Sequence, residues 1–336
     1  MTTQRLRTRL TDRFGIKHPI IAAPMALISG GALAGAVSRA GGLGLLGGGY
    51  AGTLGREPDL QAEYQKAGNT RIGVGFITWA LDEALKTTPA LLDDILARDP
   101  ACLFLSFGDP TPHANAAADR GVPVICQCQT IEDARKALDA GATAIVAQGT
   151  EAGGHGGARA TLPFVPEAVD LVTQQAPDTL VLAAGGIADG RGLAAALMLG
   201  ADGAVVGSRF WAAEEALTHP EATRRAAAAT GDVTIRSGLL DTLRGTPWPA
   251  PYTFRTLKNR LTEDWAGRET EAEFGQLADA YNAARADGDH DVVASVVGEA
   301  TGLIHDRPPA ADIIESMISR AIEQISKASG LIDTMA

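Results

Sequence analysis

The sequence predicts an α/β chain: a (β/α)₈ barrel with an added helical lobe after its eighth strand. Three observations carry this. Eight short apolar runs are separated by stretches long enough for crossover helices, and they lack the polar alternation of half-exposed strands. A pattern of helix end, glycine and strand repeats, residues 137–146 lining up with 196–205. Two glycine-rich strand ends also follow one another where the seventh and eighth runs stop. The length of 336 residues suits one such barrel with insertions as well as two average domains.

The runs fall at 19–24, 43–47, 72–76, 102–107, 122–127, 143–148, 180–184 and 203–207. A helix over 31–40 precedes the second run, so the glycines of 41–49 flank a strand that follows a helix. A dinucleotide fingerprint needs glycines after a strand and opening a helix, so these are read as permitting close helix-strand packing. Gly141 and Gly200 are placed to end helices in the left-handed conformation. After Trp211 the pattern turns polar and helical across 214–300, with a proline-rich break at 246–251. The expected division is therefore a barrel over 1–220, completed by 296–336, and a helical lobe over 221–295. Within the last segment, Ile313, Ile314, Met317, Ile318, Ala321, Ile322 and Ile325 form a helical stripe suited to packing back onto the barrel.

Composition excludes several classes. Lys+Arg 29 against Asp+Glu 40 gives a net charge of −11, and no dense basic run is present to neutralise phosphates, so no nucleic-acid partner is expected. With 21% charged and 46% hydrophobic residues, the chain reads as neither a disordered polyelectrolyte nor a coiled coil. No run sustains the roughly 18 apolar residues of a membrane span, and residues 1–15 lack the apolar core of a secretory signal. No membrane association and a cytoplasmic location are expected. Cys102, Cys126 and Cys128 are odd in number and lack neighbouring ligands, so they are read as reduced core residues and no metal site is expected.

Chemistry concentrates at three strand ends. Gly185 and Gly186, within 183–190, and Gly207 and Ser208, within 206–210, end the seventh and eighth strands. In a barrel these two loops form a phosphate cradle, because bare backbone N–H groups reach an anion that a Cβ would hold away. After the sixth strand, residues 147–157 place His155 among glycines at the C-terminal mouth, where barrel active sites sit. His18, His113, His219, His290 and His305 have no comparable setting and are read as structural or surface residues. No Ser-His-Asp set, Walker motif or HExxH occurs. A phosphate site with one base suggests a phosphorylated cofactor. Pyridoxal phosphate would need a lysine at a strand end, yet position 127 is glutamine; FMN fits better.

The segments PIIAAPMA (19–26), AGGLG (40–44), QGTEAGGH (148–155) and AGGIADG (184–190) resemble the nitronate monooxygenase family, formerly the 2-nitropropane dioxygenases. The likeness runs through 15–215 and continues at GEATGLI (298–304), similar to the family's late flavin-side loop, while 225–295 carry little signal. The resemblance implies an FMN-containing TIM barrel that oxidises nitroalkanes or nitronates with O₂ to a carbonyl compound and nitrite. It assigns His155 as catalytic base. It also implies that Ala23, Pro24 and Met25 line the isoalloxazine ring, that Gln127 and Gln148 bond to the flavin, and that Gly185, Gly186, Gly207 and Ser208 hold its phosphate. Gly153 joins the cofactor-binding set. A nitroalkane is a carbon acid, so a neutral imidazole beside its α-carbon can take the proton. Met25, Phe76 and Trp79 would supply apolar walls.

Some relatives carry lysine where this chain has Gln127. The same superfamily includes NAD(P)H:quinone reductases and FMN-dependent enoyl-ACP reductases with similar glycine-histidine loops, which makes a reductase the alternative. A third reading is a flavin or phosphate-ligand binding protein without turnover, against which His155 in the mouth speaks. No partner is expected beyond small molecules and, in a homo-oligomer, further copies of the chain.

Overall fold

Parallel pairing runs in one series around eight strands in the computed structural model, which describes residues 5–53, 59–269 and 276–332. In chain order the strands are β1 (Ile20–Ala22), β2 (Leu45–Gly49), β3 (Gly73–Ile77), β4 (Leu103–Ser106), β5 (Val124–Cys128), β6 (Ala144–Gln148), β7 (Gly154–Gly156), β8 (Leu180–Ala184) and β9 (Gly203–Val206). All but β7 form the sheet β1-β9-β8-β6-β5-β4-β3-β2. Its two ends meet through a parallel bridge between Ile21 and Leu43, where Ala22 N donates to Leu43 O and Leu43 N to Ile20 O, both at 2.9 Å. The strands thus close into the (β/α)₈ barrel expected from the sequence.

Two small differences have local causes. The second strand was expected over 43–47 and runs over Leu45–Gly49, because Leu43 is committed to the closing bridge with β1. The fourth stops at Ser106, since Phe107 takes a left-handed φ of 63°. Close packing explains Gly44, whose place beside the helix Gly31–Arg39 would put a Cβ 1.8 Å from Ala34 O.

Alternate residues of the strands point inward. Ile21, Leu45, Phe104, Ile125, Val146, Leu182 and Val205 fill the barrel with Leu10, which the N-terminal helix Arg9–Phe14 carries. The C-terminal helix Ala310–Ala328 lies against the helices Gly190–Met198 and Gly31–Arg39. Ile313, Ile314, Met317 and Ile318 are buried there, each contributing about 1.5–3 kcal/mol by leaving water. Ile322 and Ile325, the outer edge of the same stripe, are only half-buried. Cys102, Cys126 and Cys128 are free and buried, and burial pushes the Cys102 and Cys126 thiols up to about 12.

The segment read as a helical lobe carries helices at Pro220–Ala227, Leu239–Arg244, Arg260–Trp265 and Leu277–Asp287, and also two strands. These are β10 (Thr234–Ser237) and β11 (Thr253–Leu257), antiparallel to each other. The third strand of their sheet is β7, which pairs with β11 so that His155 lies opposite Phe254. A separate apolar cluster of Leu239, Leu240, Leu243, Phe254, Leu261 and Tyr281 supports this sheet. The lobe is therefore hydrogen-bonded to the loop that follows the sixth barrel strand. No helix among the described residues is long and apolar enough to cross a membrane.

Candidate active site

A cavity of about 370 Å³ opens at the C-terminal ends of the barrel strands. It is lined by all eleven residues singled out from the sequence: Ala23, Pro24, Met25, Gln127, Gln148, Gly153, His155, Gly185, Gly186, Gly207 and Ser208. They reach it from β1, β5, β6, β8 and β9 or the loops that follow, so one barrel mouth gathers residues up to 185 positions apart. Met25 and Phe76 form part of the apolar wall. Trp79 packs one layer back, edge-on to Tyr50 and Trp248.

At one side lie the glycine strand ends. Gly185 and Gly186 have φ of 100° and 73°, conformations an L side chain adopts only under strain. Gly207 faces open space, since a Cβ there would meet only Ala23 Cβ at 3.8 Å. Ser208 Oγ accepts from Gly298 N at 2.9 Å, which draws the late segment of the chain to the same wall. The helix after β8 has its own cap, Asp189, whose carboxylate accepts from Arg191 N at 2.8 Å and Gly192 N at 3.3 Å. The concave backbone thus comes from the glycines, with that helix end already closed by a side chain.

Gln127 and Gln148 meet each other. Gln127 Nε2 donates to Gln148 Oε1 at 3.2 Å, and Gln129 Nε2 donates to the same oxygen at 2.9 Å. The Gln148 amide nitrogen turns to His155 O at 3.4 Å. Gln148 thereby links β5 and β6 to the histidine loop, a commitment invisible in the sequence, and Gln129 was missed there altogether.

His155 reaches the mouth with its side chain largely enclosed. Its Nε2 lies 2.9 Å from Oδ1 and 3.0 Å from Oδ2 of Asp241, and the two side chains are 8% and 9% exposed. Trp248 stacks on the imidazole at 3.3 Å between ring centroids and 12° between planes, and Phe254 packs on it at 4.4 Å. Burial holds the imidazole below the ordinary histidine range, opposed by Asp241 and assisted by Arg244 and Arg236. The neutral ring is accordingly the resting form near pH 7, which a proton acceptor requires.

Two arginines of the lobe hold the loop. The Arg236 guanidinium donates to the carbonyls of Thr150, Ala152, Gly154, Gly156 and Thr253, at 2.6–3.4 Å. Burial, with Arg255 alongside, lowers its pKa to about 10. Arg255 donates from Nε to Thr150 O at 2.9 Å and pairs with Glu299 at 2.9 Å. Glu151 fastens the near side by accepting from Thr161 N and Oγ1.

Asp241, Trp248, Arg236 and Arg255 were not foreseen. Trp248 stands inside the proline-rich break, which marked an irregular segment without showing what its tryptophan touches. Asp241 lies 86 positions from His155, and no local pattern announces the pair.

Comparisons with known proteins give the family. The family model described as nitronate monooxygenase matches residues 7–67 and 89–320. A nitronate monooxygenase of Neurospora crassa is 34% identical, the alignment covering 97% of this chain and 95% of that protein. Among solved structures, FabK from Thermotoga maritima superposes with a TM-score of 0.80 at 30% identity, covering 97% of this chain and 100% of that one. A nitroalkane oxidase from Streptomyces ansochromogenes does so with a TM-score of 0.75 at 25% identity, covering 95% and 99%. With eight parallel strands closed into a barrel and a model match over most of its length, the chain belongs to the nitronate monooxygenase family of oxidoreductases.

Proposed function

We propose that this chain is an FMN-dependent enzyme that oxidises alkyl nitronates with O₂ to carbonyl compounds and nitrite, and nitroalkanes once His155 has removed their α-proton. The carrying observation is that a buried histidine and two glycine strand ends line one cavity at the barrel mouth. That cavity fits the cofactor in two respects. Its volume of about 370 Å³ lies within the roughly 300–1,000 Å³ of small-molecule sites, and the open space at Gly207 is one that a Cβ would fill.

In this reading Gly185, Gly186, Gly207 and Ser208 hold the FMN phosphate. Ala23, Pro24 and Met25 line the ring, and Gln127, Gln148 and Gly153 complete the cofactor wall. When bound, FMN supplies the electron acceptor for the nitronate and the route from it to O₂. The protein supplies the rest. A neutral imidazole takes the proton from the carbon acid, a contribution of about 10²–10⁴-fold in general-base catalysis. Met25, Phe76, Phe107 and Trp248 present apolar surface that suits small alkyl groups and excludes water.

The test separates proton removal from oxidation. His155→Ala should lose turnover of neutral nitroalkanes by about a hundredfold or more while keeping substantial activity on preformed nitronates, and heat should release FMN from the purified protein. Equal activity of wild type and variant on neutral nitroalkanes would remove His155 from the mechanism. The likeness to FabK over nearly the whole chain favours one second reading, an FMN-dependent NAD(P)H-linked reductase. Rapid NADH oxidation with no nitronate activity would establish it.

A further inference from the structure

The two nitrogens of His155 have different surroundings. Nε2 faces both carboxylate oxygens of Asp241, at 2.9 and 3.0 Å, behind the cavity wall. Nδ1 has no hydrogen-bond partner among the described residues, and His155 lines the cavity whereas Asp241 does not. An ionised carboxylate only accepts, so the nitrogen it holds must carry the hydrogen. Trp248 also stacks on the ring and Phe254 packs against it at a tilt, which opposes the half-turn that would exchange the two nitrogens.

We propose that Asp241 is a positioning residue: it accepts the Nε2–H of His155, keeps the neutral ring's lone pair on Nδ1 toward the cavity, and steadies the imidazolium once Nδ1 is protonated. The inference rests on His155 being the base. In the step itself the α-C–H bond of the nitroalkane breaks, its electron pair stays on the substrate as nitronate, and the proton forms an N–H bond at Nδ1. The new imidazolium charge then lies between the nitronate and Asp241. Burial, Arg244 and Arg236 all oppose that charge, and Asp241 is the group that favours it. Asp241 comes from the lobe helix Leu239–Arg244 and is itself buried, so the geometry is set by packing and does not depend on a mobile surface side chain.

Two measurements test this. Nitrogen NMR of the imidazoles in the full-length holoprotein, with His155 assigned by comparison with His155→Ala, should show Nε2 protonated and Nδ1 bare above the histidine's pKa. An Nδ1–H tautomer would overturn the proposal. In kinetics, Asp241→Asn removes the charge and can offer Nε2 an N–H, which favours the wrong tautomer. It should lower kcat for neutral nitroalkanes by at least about tenfold, within the range general bases contribute. Preformed nitronates should be affected far less, and Asp241→Glu should recover part of the loss. The acid limb of the nitroalkane pH profile should move to lower pH, because the carboxylate that raises the imidazole's pKa is gone. An unchanged kcat and limb in Asp241→Asn, or an equal loss on both substrates with no recovery by glutamate, would sink the idea. The base assignment fails separately: there His155→Ala itself leaves nitroalkane turnover intact.

Discussion

Gly207→Ala separates what the fold needs from what a phosphate needs. Gly207 has φ −98° and ψ −78°, a negative φ that an L residue adopts, and the new Cβ would make one ordinary contact, 3.8 Å to Ala23 Cβ. The apoprotein should therefore keep its stability or gain about 0.4–1 kcal/mol through a less flexible unfolded chain. If a phosphate rests on this backbone, the methyl group occupies its approach. Losing one hydrogen bond to a charged group costs about 1.5–3 kcal/mol, which is roughly 10- to 150-fold in Kd. Gly186→Ala is the informative contrast, since its φ of 73° adds about 1–2 kcal/mol of strain to the fold itself. Thermal melting of the two apo variants, with titration of each by FMN followed through flavin fluorescence, reads both quantities. A Gly207→Ala protein that melts like wild type and binds FMN equally well would refute the placement of the phosphate. A large drop in its melting temperature would refute the packing argument.

Two further outcomes follow from burial. Ile314→Ala, at a side chain 1% exposed between the C-terminal helix and the barrel, should cost about 2–5 kcal/mol in urea unfolding, and a loss well under 1 kcal/mol would show that the helix docks loosely. Turnover of neutral nitroalkanes by the wild type should fall as pH drops below the ordinary histidine value of about 6.5, because burial lowers the pKa of His155 and only the neutral ring accepts a proton; a midpoint above that value would contradict the burial argument.

The barrel was legible because its signals are local. Strands covered on both faces read as apolar runs, and Gly141 and Gly200, at φ 77° and 94°, mark the ends of matching helices. The glycine strand ends of the candidate site were legible for the same reason, since left-handed positions such as Gly185 and Gly186 are written as glycine. The lobe was not. β10 is Thr-Ile-Arg-Ser and β11 Thr-Phe-Arg-Thr-Leu, short and polar segments whose partner strand, β7, is three residues of Gly-His-Gly. None of the three has a periodicity that survives isolation. Asp241 and Arg236 act across the fold, at separations of about eighty residues from the loop they hold, so their roles exist only once the sheet has formed.

That division of labour has a physical reason. The histidine loop must come close to the chain at 297–298, where a Cβ on Gly153 would lie 2.5 Å from Val297 C, and Gly154 takes a φ of 75°. Glycine permits both, at the cost of a segment with more conformational entropy to lose than any other, on the order of 1–2 kcal/mol per ordered residue. A catalytic imidazole on such a loop would be poorly placed without external restraint. Pairing with β11, the carbonyl contacts of Arg236 and the Gln148 bond supply that restraint through the backbone, and Asp241 and Trp248 supply it through the ring. The barrel offers a mouth at which a loop can approach a ligand closely, and the lobe makes that approach reproducible. Residues 225–295, read from the sequence as carrying little family signal yet lying inside the stretch that the family model matches, therefore hold contacts that fix His155 at the cavity it lines.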